Sequence, residues 1–203
     1  MTAAVKIVLA SGSAARRQML AAAGVAFEVE PAQIEEDELK DIFIRHTTCA
    51  PAIDLARYLA DAKAIDVSMR RPGALVIGCD QVAALAERIF SKAEDLAGAR
   101  RTLMALRGQD HRLHSAVSIA LNGKVVWSDA DTAILTMRDF SDAFLESYLD
   151  SAGDALLWSV GCYELEGRGV QLFERIEGDY FTILGMPLLP VLGALRALKA
   201  LDE

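Results

Sequence analysis

A chain of 203 residues that is 53% hydrophobic and 25% charged is no disordered, collagen-like or solvating acidic polymer, and at this size about 70% of its unfolded surface can be buried without staples. Its 29 Asp+Glu against 21 Lys+Arg give a net charge of −8. That argues against a basic nucleic-acid groove, which needs a Lys/Arg excess on one face, but leaves room for a small polyanion held by a few local cations.

Lys6-Ile7-Val8-Leu9-Ala10 predicts an opening buried strand. It is too short for the apolar core of a signal peptide, and Arg16-Arg17 follow at once. Ser11-Gly12-Ser13 makes a turn; Ser13 is a good N-cap for a helix running to Ala23, and Gly24 is placed to end it. Val25 to Val29 reads as a short strand, and the polar segment from Gln33 to Asp41 as a loop. After Pro51, Ala56, Leu59, Ala60, Lys63 and Val67 share one helical face at spacings of three and four. Ala74 to Cys79 is a second buried strand that runs straight into Asp80.

A helix from about Glu94 carries Leu96, Ala99, Leu103 and Leu106 on its inner face and stops at Gly108. Two strands flank Asn122-Gly123, a strong hairpin signal. Ser141 caps a helix through Leu149, with Gly153 beyond it. Val170 to Ile176 alternates like a strand up to the Glu177-Gly178-Asp179 turn, and a helix from Leu188 to Leu201 closes the chain. Strands and helices interleave around a hairpin, so the expected class is α/β with a mixed β-sheet and flanking helices. One domain over residues 1–203 is expected, or two lobes around a cleft.

Cys49, Cys79 and Cys162 are an odd number without C-x-x-C spacing, so reduced thiols are expected rather than disulfides or a zinc site. The longest uncharged stretch, Tyr180 to Leu195, contains Pro187 and Pro190 and falls short of the ~20 apolar residues of a membrane helix. A soluble cytoplasmic protein, binding neither membrane nor nucleic acid, is the expectation.

The first chemical signal is a broken local rule. With Ser13 as N-cap, Arg16 and Arg17 fall in the first turn or so of a helix, where the macrodipole disfavours cations. A strand, a Ser/Gly turn and a helix N-terminus with free N–H groups make an anion site. Two guanidiniums belong there if a phosphate chain completes the charge balance. The plainer reading is two surface arginines behind an ordinary Ser cap. The turn is neither a Walker A loop nor a dinucleotide fingerprint.

Asp80 is the second signal, an acid at the end of an uncharged strand, where open α/β sheets place their ligands. It can bind a hard cation through oxygen and can position or deprotonate a water; the plainer reading is a turn-forming Asp. Glu35, Glu36, Asp37 and Glu38 read as a solvated loop from which one carboxylate can complete a Mg²⁺ site. Lys63, on the apolar face of its helix, either snorkels or aims its ammonium at a phosphate. His111 and His114 lie three apart at the start of a strand and so face opposite sides of the sheet, which disfavours a metal pair.

Taken in order, these residues resemble the Maf family of nucleotide pyrophosphatases over nearly the whole chain. Leu9-Ala10-Ser11-Gly12-Ser13-Ala14-Ala15-Arg16-Arg17-Gln18-Met19-Leu20 is similar to the family's L-A-S-x-S-P-x-R-R-x-L-L opening. Ile34-Glu35-Glu36 resembles the acidic motif that ends in a metal-binding Glu, here Glu36. Leu59-Ala60-Asp61-Ala62-Lys63-Ala64 is similar to L-A-x-x-K-A, and Gly78-Cys79-Asp80-Gln81-Val82 to G-x-D-[TQ]-V, whose Asp is the family's proton acceptor. Ser91-Lys92-Ala93 resembles G-K-P, and Leu106-Arg107-Gly108-Gln109-Asp110-His111 resembles L-S-G-x-x-H. Phe173 to Asp179 and Leu184 to Leu188 are similar to the closing motifs. Ala14 and Ala93 replace Pro, Arg107 replaces Ser and Ser115 replaces Thr, none of which removes a charged group from the expected site.

The resemblance implies an inosine triphosphatase-like (Maf/Ham1-type) fold with a cleft, commonly homodimeric, and hydrolysis of a nucleoside triphosphate to the monophosphate and pyrophosphate. It implies a divalent cation, Mg²⁺ or Mn²⁺, on Glu36 and Asp80, with Asp80 as proton acceptor. Lys63, Lys92, Arg16 and the Ser11/Ser13 turn would offset charge on the triphosphate. Two rival classes are a nucleotide-binding regulator of cell division with little catalysis and a metal-dependent phosphatase that releases inorganic phosphate.

Three positions bear on base choice. Gln81 and Glu166 resemble the branch acting on 7-methyl-GTP, whereas the dTTP/UTP branch typically has Thr and Gln there. A carboxylate accepts from the N1–H and exocyclic amine of guanine and suits the positive charge that N7 methylation adds. The plainer reading of Glu166, near Gly167 and Gly169, is an exposed turn residue. Ala15 stands where the family typically has Arg or Tyr, and supplies neither contact.

Overall fold

The computed structural model describes residues 5–47 and 51–202. Among these residues β1 (Ile7–Leu9), β2 (Glu28–Val29), β3 (Leu75–Leu85), β4 (Arg88–Phe90), β5 (Asp110–Leu121), β6 (Lys124–Met137) and β7 (Phe173–Glu177) form one sheet. The order is β2-β1-β3-β5-β6-β7, with β4 paired to β3. β1 pairs in parallel with β2 and β3, while β4 and β7 pair antiparallel with β3 and β6. The mixed-sheet α/β class expected from the sequence is what the chain adopts.

The helices are α1 (Ala14–Ala22), α2 (Glu36–His46), α3 (Ala52–Arg70), α4 (Leu96–Leu106), α5 (Asp142–Ala152), α6 (Tyr180–Ile183) and α7 (Leu188–Ala197). None of them is long and apolar enough to cross a membrane. Cys79 and Cys162 are free and buried, and Cys49 lies outside the described residues. By contact density the chain forms two compact units: one from the residues up to Gln81, Ser115–Asp131 and the segment from Tyr180, the other from Val82–His114 and Thr132–Asp179.

In the first unit the period of two along β1 and β3 sorts side chains between two faces. Ile7, Leu9, Leu75, Ile77 and Cys79 join Met19, Leu20, Val191 and Leu195 of α1 and α7 in one core. Val8, Ala10 and Val76 lie in the other, with Val67 of α3. Gly78 and Asp80 have the parity of Val76 and so face α3. A Cβ on Gly78 would lie 2.4 Å from the Ala60 carbonyl oxygen and 2.5 Å from the Ala64 nitrogen, so only glycine lets α3 approach β3 this closely. The buried stripe Ala56, Leu59, Ala60, Lys63, Ala64 and Val67 is the helical face read from the sequence.

Several local expectations are corrected. β3 does not stop at Asp80 but runs to Leu85 and turns through Ala86 and Glu87 into β4. That hairpin has no Asn-Gly signal; Ala86 itself takes the left-handed backbone (φ 50°), a costly conformation for a residue with a Cβ. Glu36 to Asp41 form a helix rather than a loop, with Glu36, Asp37 and Glu38 in its first turn, where the macrodipole favours acids. Leu96 is exposed, not an inner-face residue. Residues 168–172 form a 3₁₀ turn, so the strand expected from Val170 begins only at Phe173. The closing helix ends at Ala197 instead of Leu201.

Other signals agree with the structure. Ser13 and Ser141 cap α1 and α5, accepting from the Arg16 and Phe144 amides. Asn122 and Gly123 both have positive φ, 51° and 76°, the signature of a type I′ hairpin turn.

Candidate active site

Most candidate residues gather in the first unit. Beyond the last residue of β1, where Ala10 still donates to the Ile77 carbonyl at 2.8 Å, β3 carries Asp80 past the end of its parallel neighbour. The strand whose carboxyl end opens here, where α/β sheets place their ligands, is therefore β1. Asp80 is buried, and Lys63, brought alongside by Gly78, donates to its Oδ1 at 2.7 Å. The same ammonium lies 3.0 Å from Glu36 Oε1 at the start of α2. Burial raises the Asp80 carboxyl above the usual carboxylate range, opposed by the charges of Lys63 and Arg16 and reinforced by that of Glu36.

The Ser11–Ser13 turn leads into α1. Ser13 accepts from the Arg16 amide at 3.4 Å, and its own amide donates to Ser11 Oγ at 3.3 Å. The Arg16 guanidinium folds back across the turn: Nε donates to the Gly185 carbonyl at 2.8 Å, and Nη1 to the Cys79 carbonyl at 2.9 Å and Ser11 Oγ at 3.2 Å. All three partners are neutral, and among the described residues no carboxylate ion-pairs with Arg16. The broken helix rule thus has a structural reason, a cross-tie between three segments, and it leaves a net positive charge beside free helix N–H groups. Arg17 is exposed, as its plainer reading held, and Ala15 is half-buried in the first turn of α1.

Gln81 holds its neighbours instead of standing free. Its amide nitrogen donates to Ser115 Oγ at 2.9 Å and to the Thr182 and Ile183 carbonyls at 3.1 and 3.0 Å. Ser115 in turn donates to the Thr182 carbonyl at 2.7 Å, and Thr182 Oγ1 to Asp131 at 2.8 Å. The sequence reading missed Ser115, Thr182 and Asp131 as supports. It also missed Gly78, although a glycine inside an apolar strand is itself a sign of close backbone approach.

Lys92 and Glu166 belong to the second unit. Lys92 is exposed in the loop before α4, whose N-cap Asp95 accepts from the Gly98 amide at 2.6 Å. Glu166 is exposed in the turn closed by Gly167 N–H donating to the Glu164 carbonyl at 3.4 Å. His111 and His114 do not pair: His111 is buried against Tyr163, and His114 bonds Thr132.

Among the described residues no three His, Cys, Asp or Glu side chains are grouped to hold a metal. The two carboxylates on Lys63 could serve as a donor pair, and such a pair would suit a hard cation that completes its shell with water and phosphate oxygens. The Cys79 thiol, fully buried and pushed up to about 11 by desolvation, offers no thiolate.

The family model for Maf-like protein matches residues 6–198. The 7-methyl-GTP pyrophosphatase of Mesorhizobium japonicum is 49% identical over 197 residues, covering 97% of this chain and 98% of the relative. The nucleoside triphosphate pyrophosphatase of Caulobacter vibrioides is 50% identical over 195 residues, 96% of each chain. A HAM1 protein structure from Coxiella burnetii aligns with a TM-score of 0.42 at 15% identity, over 67% of this chain and 74% of that one, a likeness too weak to argue from. With a family model spanning almost every described residue and relatives at about half identity from end to end, the chain belongs to the Maf family.

Proposed function

We propose that this protein is a nucleoside triphosphate pyrophosphatase that cleaves the α–β phosphate bond and favours a guanine nucleotide, 7-methyl-GTP above all, over dTTP and UTP. The observation that carries the reading is Asp80, a nearly water-free carboxylate held by Lys63 beside Glu36. It belongs to the same unit as a helix N-terminus with a cationic cross-tie. The names of the relatives at 49% and 50% identity support the reaction class.

Glu36 and Asp80 would hold Mg²⁺ or Mn²⁺, since both offer only oxygen. Such an ion, when bound, lowers the pKa of a water and draws charge from the phosphates. Asp80 takes the proton of the attacking water as its oxygen bonds to phosphorus and the pyrophosphate oxygen leaves. Burial makes Asp80 a stronger base than an exposed carboxylate, and the Lys63 charge favours its ionised form. Arg16, the N–H groups after Ser11 and Ser13, Lys63 and Lys92 neutralise the triphosphate, which is most of what phosphoryl chemistry asks of a protein. Glu166 accepts from the guanine edge. With its amide nitrogen already committed, Gln81 sets the shape of the base site more than it reads the base. Ala15 offers the base neither a cation nor a ring to stack on. The reading takes the protein to be a cytoplasmic homodimer; sedimentation velocity tests the dimer.

A nucleotide panel with separate pyrophosphate and phosphate readouts tests the proposal. Pyrophosphate from 7-methyl-GTP at higher kcat/KM than from dTTP or UTP is expected. A preference for dTTP and UTP overturns the base choice alone, and inorganic phosphate as first product overturns the reaction. Binding without turnover leaves the regulator.

A further inference from the structure

The second unit contains a buried assembly around Tyr163, which lies in none of the motifs. Tyr163 is almost wholly buried, and its hydroxyl lies 2.7 Å from Nε2 of His111, which is fully buried on β5. His111 Nδ1 has no partner among the described residues. The phenol ring stands edge-on to Phe173, centroids 4.8 Å apart at 79°. A Cβ on Gly161 would lie 2.3 Å from the same ring, so glycine is required for the ring to lie there.

The residues around Tyr163 are held as firmly. Cys162 has a left-handed backbone (φ 57°) and is buried, a conformation that only surrounding contacts sustain in a non-glycine residue. Its thiol lies near the Ala93 backbone and the Thr102 side chain, and Ala93 directly follows Lys92. On the other side, a Cβ on Gly169 would lie 2.4 Å from the Glu164 carbonyl oxygen and 3.0 Å from the Tyr148 hydroxyl, so glycine lets that turn close against Tyr148. Glu164 opens the turn that presents Glu166. Positions 92 and 166, distant in sequence, thus both border one buried anchor.

We propose that Tyr163, held by His111, is a positioning residue that fixes the Glu166 turn and, through Cys162, the loop bearing Lys92, and so sets nucleotide selectivity. The inference rests on the proposed reading that Glu166 and Lys92 meet the nucleotide. A purely structural role would lower stability but leave the ratio between substrates alone.

Tyr163→Phe keeps the ring against Phe173 and deletes only the hydroxyl. Two measurements are made on the full chain. Amide hydrogen exchange without nucleotide should speed up ~10-fold at residues 164–167 and 93, about the effect of one lost hydrogen bond, while β1 and α1 stay unchanged. Pyrophosphate release should show KM for 7-methyl-GTP rising ~5- to 10-fold with kcat nearly constant, and the preference over dTTP falling in step. Adding Glu166→Gln to Tyr163→Phe should then cost less selectivity than it does alone. Unchanged exchange at 164–167, or an unchanged substrate ratio in a wild-type enzyme that is active, overturns the inference. A wild type that releases no pyrophosphate from any nucleotide overturns the underlying reading as well. If Tyr163→Phe does not fold, Cys162→Ala faces the same two measurements, exchange at residue 93 and KM for 7-methyl-GTP, and no change in either overturns the proposal.

Discussion

Lys63 reaches Asp80 across 2.7 Å where both residues are less than one-tenth exposed, so each is the other's main substitute for water. Asp80→Asn keeps the shape and an acceptor for Lys63 but loses the base. The expected result is a fall in kcat of ~10²–10⁴, read as pyrophosphate release, with a thermal transition near that of the wild type. A variant keeping more than half of wild-type turnover removes Asp80 from the role.

Lys63→Met strands the Asp80 carboxylate in a dry place. The expected loss at neutral pH is ~3–5 kcal/mol, the range for breaking a buried pair by removing one partner. Without the ammonium, the folded Asp80 carboxyl rises further above its unfolded value. The variant should therefore regain stability as pH falls and lose it as pH rises through the folded value. Urea unfolding of both proteins at pH 5 and pH 8 measures this; a pH-independent difference contradicts it.

Gly78→Ala tests the close approach that creates the pair. A methyl 2.4 Å from the Ala60 carbonyl oxygen cannot be accommodated without moving α3, and overpacking of this kind costs ~1–3 kcal/mol. Turnover should fall by more than the folded fraction does, because Lys63 rides on the displaced helix. Wild-type turnover in the folded variant would separate the approach from the chemistry.

These relations show how far the sequence could be read. The buried strands from Lys6 to Ala10 and from Ala74 to Cys79 and the helical stripe through Lys63 were visible, because continuous apolar runs and helical spacing both mark burial. So were the caps at Ser13 and Ser141 and the hairpin at Asn122-Gly123. The continuation of β3 beyond Asp80 was not, because the Ala86 turn breaks the usual backbone preference and is sustained by its strand partners. The three neutral acceptors of Arg16 and the supports of Gln81 were equally hidden, since Gly185 and Thr182 lie more than 100 positions away. Long-range carbonyls leave no mark on local composition.

His111 gives a pH dependence of known sign. Desolvation lowers its pKa from 6.5 to about 4, slightly offset by Asp110, so between those values the unfolded chain binds the extra proton. The contribution is fully present above pH 6.5 and is lost as pH falls toward 4, up to ~3 kcal/mol. Denaturant midpoints from pH 7.5 to 4.5 should fall more steeply for the wild type than for His111→Asn. Parallel curves would show that His111 does not titrate on unfolding; His114, also lowered by burial, is unchanged in the comparison.

Removal of divalent cations should abolish turnover, and Mg²⁺ or Mn²⁺ should restore it, since two carboxylates and no nitrogen or sulfur ligand favour hard ions. Full activity in excess chelator after exhaustive dialysis would contradict the assignment of Glu36 and Asp80.

The first unit is assembled from three separated stretches of chain, which has a consequence for synthesis on the ribosome. Met186, Leu188, Val191 and Leu195 complete the core around Ile7 and Leu9, and the Gly185 carbonyl that orients Arg16 arrives 169 residues after it. The turn between β1 and α1 therefore lacks its Gly185 tie until residue 185 has been added, although its ties to Ile77 and Cys79 come earlier. A nascent chain halted at Asp179 lacks Met186, Leu188, Val191 and Leu195, so the core between α1 and the sheet stays open on the side that α7 covers.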